Sequence, residues 1–501
     1  MRSDRSDRPW WWSNGDEPPP IHTEHGSVQA DAVVVGGGIA GLMIAAELAA
    51  AGRSVCVFEA RRVGGGVTGS STAKVTALHG ATYHRLASRR GPEIARHYAQ
   101  ANQAGIATYQ RLIDEHGIDC GWQRLDAVTY AAEPSRSATI QAELSAAAEA
   151  GLPVREVTDL PLPFPVAAAV RCADQAMLDP VRFALGLAAA LRRGGVRIIE
   201  GARVREVETG PPHVVHTDRL TATAPVLVLA TQLPIHDPGL FFARCSPVRS
   251  YALAATLDGP VPELMSLSID EPGRSIRPTS LGSSTGVFGG GSHRVGEGGD
   301  TRRFHRELEE WVRASFAVRS IDARWSAQDF VPNDDAPFIG RMPNAPEGTF
   351  VATGFKKWGF TSAAVAGSLI GELVDGPLPE WGRAFDATRA AVDVQGAGEL
   401  LRSNAKVAVH FLGDRVGSAR PKGVSSLAPG AGAIVEVDGE KLAGHRDDSG
   451  ELHLVPARCT HVGCLVAWNP AERSWDCPCH GSRFDVDGSV ICGPATRGLA
   501  E

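Results

Sequence analysis

Asp31-Ala-Val-Val-Val-Gly36-Gly-Gly38-Ile-Ala-Gly41-Leu-Met-Ile-Ala-Ala-Glu47-Leu-Ala-Ala50 joins a β-branched run to an Ala/Leu-rich run through three spaced glycines. β-Branched residues favour strands and Ala/Leu favour helices, so the stretch predicts strand, tight turn, helix. Gly36 permits the turn, Gly38 lets a pyrophosphate approach the backbone, and Gly41 lets the helix lie close on the strand. The helix N-terminus then offers free N–H groups to phosphate. A second short strand, Ser54-Val-Cys-Val-Phe58, ends at Glu59. That is about 20 residues past the first glycine, where such units place the acid for the adenosine ribose. The run from 32 to 51 is apolar and long enough to cross a bilayer. Its glycines and Glu47 favour a buried strand–turn–helix instead.

Working outward, the 501 residues exceed what one core usually supports, so two or three domains are expected. Hydrophobic content of 43% and charged content of 21% describe a globular protein. The formal net charge of -7 gives no reason to expect nucleic acid or an anionic membrane as partner. Residues 1–30 form a polar, Pro-rich arm without the apolar core of a signal peptide, which predicts a cytoplasmic protein with no membrane span. Its Trp10–Trp12 triplet either docks on the body of the protein or meets a partner. From 31 to 385 strand and helix patterns alternate as in an α/β fold, and 250–330 is richer in strand, suggesting an inserted β layer. A connecting helix over 397–415 and a Gly/Pro/Ser linker over 416–432 make 386–432 a joining segment. Residues 433–501 read as a small β domain.

NAD and FAD both use the Gly36–Glu59 unit, and three later segments bear on the choice. Arg62-Val-Gly-Gly-Gly-Val-Thr-Gly-Ser-Ser-Thr-Ala-Lys74 is a Gly/Ser/Thr loop, and Val226-Leu-Val-Leu-Ala-Thr231 is an apolar strand closing on Ala-Thr. Thr349-Phe-Val-Ala-Thr-Gly-Phe-Lys-Lys-Trp-Gly-Phe-Thr361 runs from strand into a helix that Thr361 or Ser362 can cap and Gly376-Pro377 ends. Together with Gln328-Asp-Phe-Val-Pro-Asn-Asp-Asp-Ala-Pro-Phe-Ile-Gly-Arg341, these segments resemble the D-amino-acid oxidase-like flavoproteins. That family includes glycine and sarcosine oxidases and gamma-glutamylputrescine oxidase. The resemblance covers roughly 30–385 and implies a Rossmann-like FAD-binding domain with an inserted β-rich substrate domain. It implies FAD contacts from Gly36, Gly38, Gly41, Glu59, Thr72, Ala73, Lys357, Gly359 and Thr361, with Lys356 as an alternative cation. It also implies hydride transfer to the flavin from a small donor. A second dinucleotide fingerprint is missing, since Gly289-Gly-Gly-Ser-His-Arg294 carries arginine where a third glycine belongs.

The nine cysteines divide unevenly. Cys56, Cys120, Cys172 and Cys245 are scattered and read as small buried residues, whereas five crowd into the C-terminal end. Cys459-Thr-His461-Val-Gly-Cys464 and Cys477-Pro-Cys479-His480-Gly-Ser482 offer two thiols and two imidazoles. Zinc accepts such a set, and so does an iron–sulfur cluster. The two loops resemble the Rieske proteins of respiratory and photosynthetic cytochrome complexes. The resemblance implies a 2Fe-2S cluster on Cys459, His461, Cys477 and His480, a disulfide between Cys464 and Cys479, and exposed histidines as the electron exit. A zinc site would give those last two cysteines no role. Ser482 matches a family serine that bonds a bridging sulfide, while Phe484 replaces the tyrosine of high-potential members. A potential below theirs is therefore expected, within the Rieske range of about -150 to +300 mV. Family domains commonly run on past the position of Glu501, so the base of this one is expected to be trimmed or completed by the flavin domain.

The expectation is an FAD-dependent enzyme oxidising an amine, amino acid or related small donor. Electrons would pass through the cluster to a one-electron acceptor such as a ferredoxin, cytochrome or quinone. Two other readings fit the same residues: reverse flow from a one-electron carrier to FAD, or an oxygen-using oxidase with a redox-sensing or docking Rieske module. Candidate substrate-site residues are Lys74 and His79 after the flavin loop, and Arg274 and Arg277 as carboxylate binders. No general base is identifiable. Glu93 and His97, four apart on a helix, read as a surface pair rather than part of an oxygenase iron site.

Overall fold

The computed structural model describes residues 8–13, 24–390 and 423–501. The expected helix over 397–415 and most of the linker lie outside the described residues. The Ala32–Val35 strand sits inside a six-stranded sheet in the order Phe338–Arg341, Thr349–Thr353, Val226–Leu229, Ala32–Val35, Val55–Phe58, Arg197–Ile199. Its neighbours run parallel, except for the Phe338–Arg341 edge. A parallel strand must bury both faces. Ala32, Val34, Val55 and Val57 accordingly meet the helices Ile39–Ala50, Pro180–Arg193 and Gly359–Asp375. Val33, Val35, Cys56 and Phe58 meet a four-stranded layer built from Gly26–Gln29 and residues 204–224. The apolar run is thus a strand and a helix of the core, and no helix among the described residues is long and apolar enough to cross a membrane.

The second large layer is a nine-stranded sheet whose long members include Cys245–Leu257, Thr285–Arg294 and Val318–Pro332. It reaches beyond 250–330, because Met265–Ser268 pairs in parallel with Gln123–Ala131 and so recruits chain from before the insertion. Gly289-Gly-Gly lies within a strand rather than at a turn. One face of this sheet packs on the helix Arg302–Ser315 through Tyr251, Leu253 and Phe288. The other, through Ala252, Ala254, Val287 and Trp325, receives Trp11 from the short helix Trp10–Ser13. The tryptophan triplet therefore docks on the body.

The C-terminal part holds a three-stranded and a four-stranded antiparallel sheet, beginning at Gly432 and ending at Cys492. It is joined to the nine-stranded sheet by buried charge. Arg249, fully buried, donates to Ser326 Oγ at 2.6 Å and Gln328 Oε1 at 3.1 Å. Its guanidinium lies 3.8 Å from Glu472 and 3.9 Å from Asp476. Arg483 pairs with the same two carboxylates at 3.5 and 3.0 Å. Burial pushes the Asp476 carboxyl up, but the two guanidiniums outweigh it and hold it below the ordinary range. Two cations and two anions cancel within one largely buried contact.

Candidate functional site

The glycine turn is shaped by contacts that leave no room for side chains. A Cβ on Gly36 would stand 2.4 Å from Ala230 O, and one on Gly41 would stand 1.8 Å from Gly36 O. Glu59 accepts from Gly37 N at 2.9 Å and from Arg61 N at 2.8 Å, so the acid is locked against the turn. No side chain of the capping residue Gly38 closes the helix start, so the first-turn N–H groups beyond Ile39 can face an anion. Thr68 Oγ1 accepts from Ile39 N at 2.9 Å and brings the Gly/Ser/Thr loop against the same turn. The residues fit an adenine dinucleotide.

The loop itself is held by its carbonyls. Trp325 Nε1 donates to Ser70 O and Trp11 Nε1 to Ser71 O, both at 2.8 Å. Arg277 donates to Thr72 O at 2.7 Å, Ala73 O at 3.0 Å and Leu178 O at 3.0 Å. Arg277 is fully buried with its donors engaged, so it shapes the flavin loop and is not free to bind a substrate carboxylate. Arg274 lies 5.1 Å over the Trp311 ring, on the helix side of the sheet, and is no carboxylate clamp either.

Lys74 Nζ lies 2.5 Å from Ser266 O and 2.6 Å from Ser275 Oγ. Burial, helped by the Arg277 charge, pushes its pKa down to about 7. The unfolded chain holds that proton up to the ordinary value of 10.5, so the contribution of Lys74 to stability rises with pH from about 7 to 10.5. The slope is at most about 1.4 kcal/mol per pH unit. Urea melts at pH 7 and 9 isolate this contribution as a difference: Lys74→Met should gain less stability, or lose more, between the two pH values than the wild type.

His79 does not reach out as a proton carrier. Its Nδ1 lies 2.6 Å from Tyr98 OH, and its Nε2 2.6 Å from Thr76 O and 3.1 Å from Thr361 Oγ1. Its ring stacks on Trp358 at 4.5 Å. Burial pushes its pKa down to about 3, so it is neutral and ties the flavin loop to the 354–361 turn. The helix after that turn begins at Gly359, which puts Thr361 and Ser362 in its first turn rather than at the cap. Lys356 and Lys357 both have positive φ, 51° and 71°. Such backbone costs about 1–3 kcal/mol per residue and concentrates at functional sites. Lys356 Nζ pairs with Asp335, while Lys357 Nζ is 3.1 Å from Ser292 Oγ.

In the C-terminal domain the two cysteine loops close on themselves. Gly463 N donates to Cys459 O at 2.9 Å, and Gly481 N to Cys477 O at 3.0 Å. A disulfide joins Cys464 to Cys479. Cys459 and Cys477 are buried free thiols. His461 Nδ1 and His480 Nδ1 are buried without a hydrogen-bond partner, and their rings stand 5.1 Å apart. Two buried orphan nitrogens would cost about 1–3 kcal/mol each unless something uses them. Two thiolates with two such nitrogens are the donor set of a Rieske 2Fe-2S cluster. Ser482 is fully buried and accepts from Ala495 N at 3.0 Å. Phe484 is fully buried in the adjoining strand. Phe484→Tyr should raise the cluster potential: one hydrogen bond of about 1 kcal/mol corresponds to roughly 40 mV for a single electron. A redox titration followed by paramagnetic resonance reads this directly.

The histidine edge is not exposed as expected. His480 is only 4% exposed and lies edge-on to Phe242 at 4.7 Å, because the cluster tip is seated in a recess of the flavin domain. A Cβ on Gly481 would stand 2.7 Å from Pro247 and 2.8 Å from Gln328 Nε2. His461 stays half-buried, with exposed Val462 beside it. Residues 328–330 touch both sites. Gln328 Nε2 donates to Gly481 O at 2.7 Å, Asp329 accepts from Lys357 N, and Phe330 O accepts from Lys356 N at 3.1 Å. Gln232 strengthens the bridge: its Nε2 donates to Gln328 O at 2.8 Å, and its Oε1 accepts from Cys492 Sγ at 3.1 Å. Sequence reasoning singled out Gln328–Arg341 for its resemblance but not for this bridge, and it missed Phe242 and Arg249 altogether. An arginine within a strand of small residues was the one signal for Arg249.

The FAD dependent oxidoreductase family matches residues 31–373, and the Rieske [2Fe-2S] domain family matches 422–501. The chain belongs to the FAD-dependent oxidoreductase family and carries a C-terminal Rieske [2Fe-2S] domain; it is an enzyme that uses FAD and an iron–sulfur cluster. It is 35% identical to YhfW of Bacillus subtilis (strain 168), which bears a Rieske 2Fe-2S iron–sulfur protein name, over 98% of this chain and 97% of that one. Over 46 residues it is 54% identical to the cytochrome b6-f complex iron-sulfur subunit 1 of a Nostoc species, 9% of this chain and 26% of that subunit. In fold it is similar to glycine oxidase from Geobacillus kaustophilus, with a TM-score of 0.58, 22% identity, and coverage of 73% of this chain and 100% of that one. L-proline dehydrogenase from P. horikoshii also scores 0.58, at 18% identity, covering 72% and 98%.

Proposed function

We propose that this oxidoreductase takes hydride from an amine, amino acid or related small donor and releases the electrons singly through the cluster. The acceptor would be a one-electron carrier such as a ferredoxin, cytochrome or quinone. The observation that carries the reading is the three-residue bridge at Gln328–Phe330, which contacts the cluster loop on one side and the flavin turn on the other. When bound, FAD supplies hydride acceptance and the cluster supplies one-electron carriage. Gly36, Gly38, Gly41 and Glu59 would hold the adenosine and pyrophosphate. Thr72 and Ala73 would line the ring, and the Lys357–Thr361 turn would aim a helix N-terminus, with its partial positive charge, at the pyrimidine edge. Cys459, His461, Cys477 and His480 would ligate the irons. Half-buried His461 would be the exit, since His480 faces inward.

Glycine oxidase and L-proline dehydrogenase share the fold and are named for amino acids, which supports an amine donor. In this reading the domains are 31–385 and 433–501, joined through 386–432. The four unpaired buried thiols Cys56, Cys120, Cys172 and Cys245 support a reducing, cytoplasmic setting. Anaerobic stopped-flow mixing with a panel of amines and hydroxy acids tests the proposal. Flavin bleaching followed by cluster reduction is expected. Cluster reduction ahead of the flavin, by a ferredoxin, would reverse the assigned direction.

A further inference from the structure

We infer that the N-terminal tryptophans Trp11 and Trp12 belong to the apparatus that holds FAD, acting through the loop 62–74. That loop is nearly all glycine, serine and threonine at its centre, so ordering it for a ligand costs conformational entropy. One side of it faces the glycine turn, where Thr68 Oγ1 accepts from Ile39 N. On its far side four successive carbonyls, Ser70 to Ala73, are each gripped by a side chain. Trp325 and Arg277 supply three of the grips from the nine-stranded sheet. The fourth, on Ser71 O, comes from Trp11 of the arm.

Trp11 is 4% exposed and packs among Val181, Ala252, Ala254 and Val287. The Arg277 guanidinium sits 5.0 Å over its ring, so Trp11 also steadies the neighbouring grip. Trp12 supports the same loop from another direction. A Cβ on Gly69 would stand 2.3 Å from Trp12 Nε1, and one on Gly64 3.8 Å from its ring, so the indole fills the space those glycines leave. The Trp10–Ser13 helix is thus a wedge between sheet and loop that pre-forms the cofactor side. Pre-formation lowers the ordering cost of binding. Linkage then requires the converse: FAD must tighten the arm.

The test titrates FAD into flavin-stripped full-length protein, following flavin fluorescence. Trp11→Phe keeps the ring and removes the Nε1 donor; its FAD affinity should fall about fivefold, the effect of one hydrogen bond. Trp11→Ala also loses the ring under Arg277 and should fall about thirtyfold. Trp10→Phe serves as control and should bind as wild type. In the reciprocal measurement, FAD should slow amide exchange at residues 10–13. FAD binding that stays weakened at temperatures where flavin-free Trp11→Phe is fully folded separates positioning from loss of folding. Wild-type affinity in Trp11→Phe together with unchanged exchange on adding FAD would overturn the inference. If Trp11→Ala does not fold, the phenylalanine variant and the exchange experiment decide it.

Discussion

Cys459→Ser should lose the rhombic paramagnetic signal of the reduced cluster and most of its iron, while the flavin absorbance should remain. In the proposed reading this buried thiol is one of four ligands, two of them imidazoles whose buried Nδ1 atoms lack partners. Even residues that only orient a ligand change metal affinity by about 10–100-fold. Loss of a ligand should therefore exceed about 100-fold. The flavin half has its own core and its own glycine turn, so its spectrum should survive. Turnover with one-electron acceptors should collapse with the signal. Retained turnover with every acceptor would leave the cluster a sensing or docking role, and a pocket filled with zinc would refute the iron–sulfur assignment.

Arg249→Leu should destabilise the protein by about 3–5 kcal/mol, because it strands buried carboxylates. Glu472 and Asp476 would share one guanidinium, Arg483, where two now balance them. Gln328 would also lose the donor to its Oε1, loosening the residue that grips Gly481. Denaturant melts followed by cluster absorbance measure the loss. Arg319→Leu is the matching control: its pair with Asp258 is at the surface and is worth about 0–1 kcal/mol. Equal midpoints for the two variants would show that the buried network contributes little.

Much of this architecture was legible in local pattern. Gly36, Gly38, Gly41 and Glu59 are read from spacing, because the turn depends on residues close in the chain. The cysteine loops are legible for the same reason, since each closes within six residues, from Cys459 to Cys464 and from Cys477 to Ser482. What the sequence hid is long-range. Arg277 sat in the expected sheet, yet nothing local told that its guanidinium would turn to carbonyls of a loop some 200 positions earlier. The exposure expected for His480 failed likewise, because it depends on Phe242, a residue from another domain. Thr361 was misplaced at the cap because the helix starts on Gly359, a poor helix former that the turn positions there.

The seating of the cluster tip has a consequence for how the polypeptide can be divided. Phe242, Pro247 and Phe330 form an apolar socket that the second domain fills. A flavin half produced alone would show that socket to solvent as a sticky patch and would tend to self-associate. Its partner half would leave Glu472, Asp476 and Arg483 facing water without Arg249. Each piece keeps its own core but loses the surface that the other covers, so both are expected to be better behaved within one polypeptide.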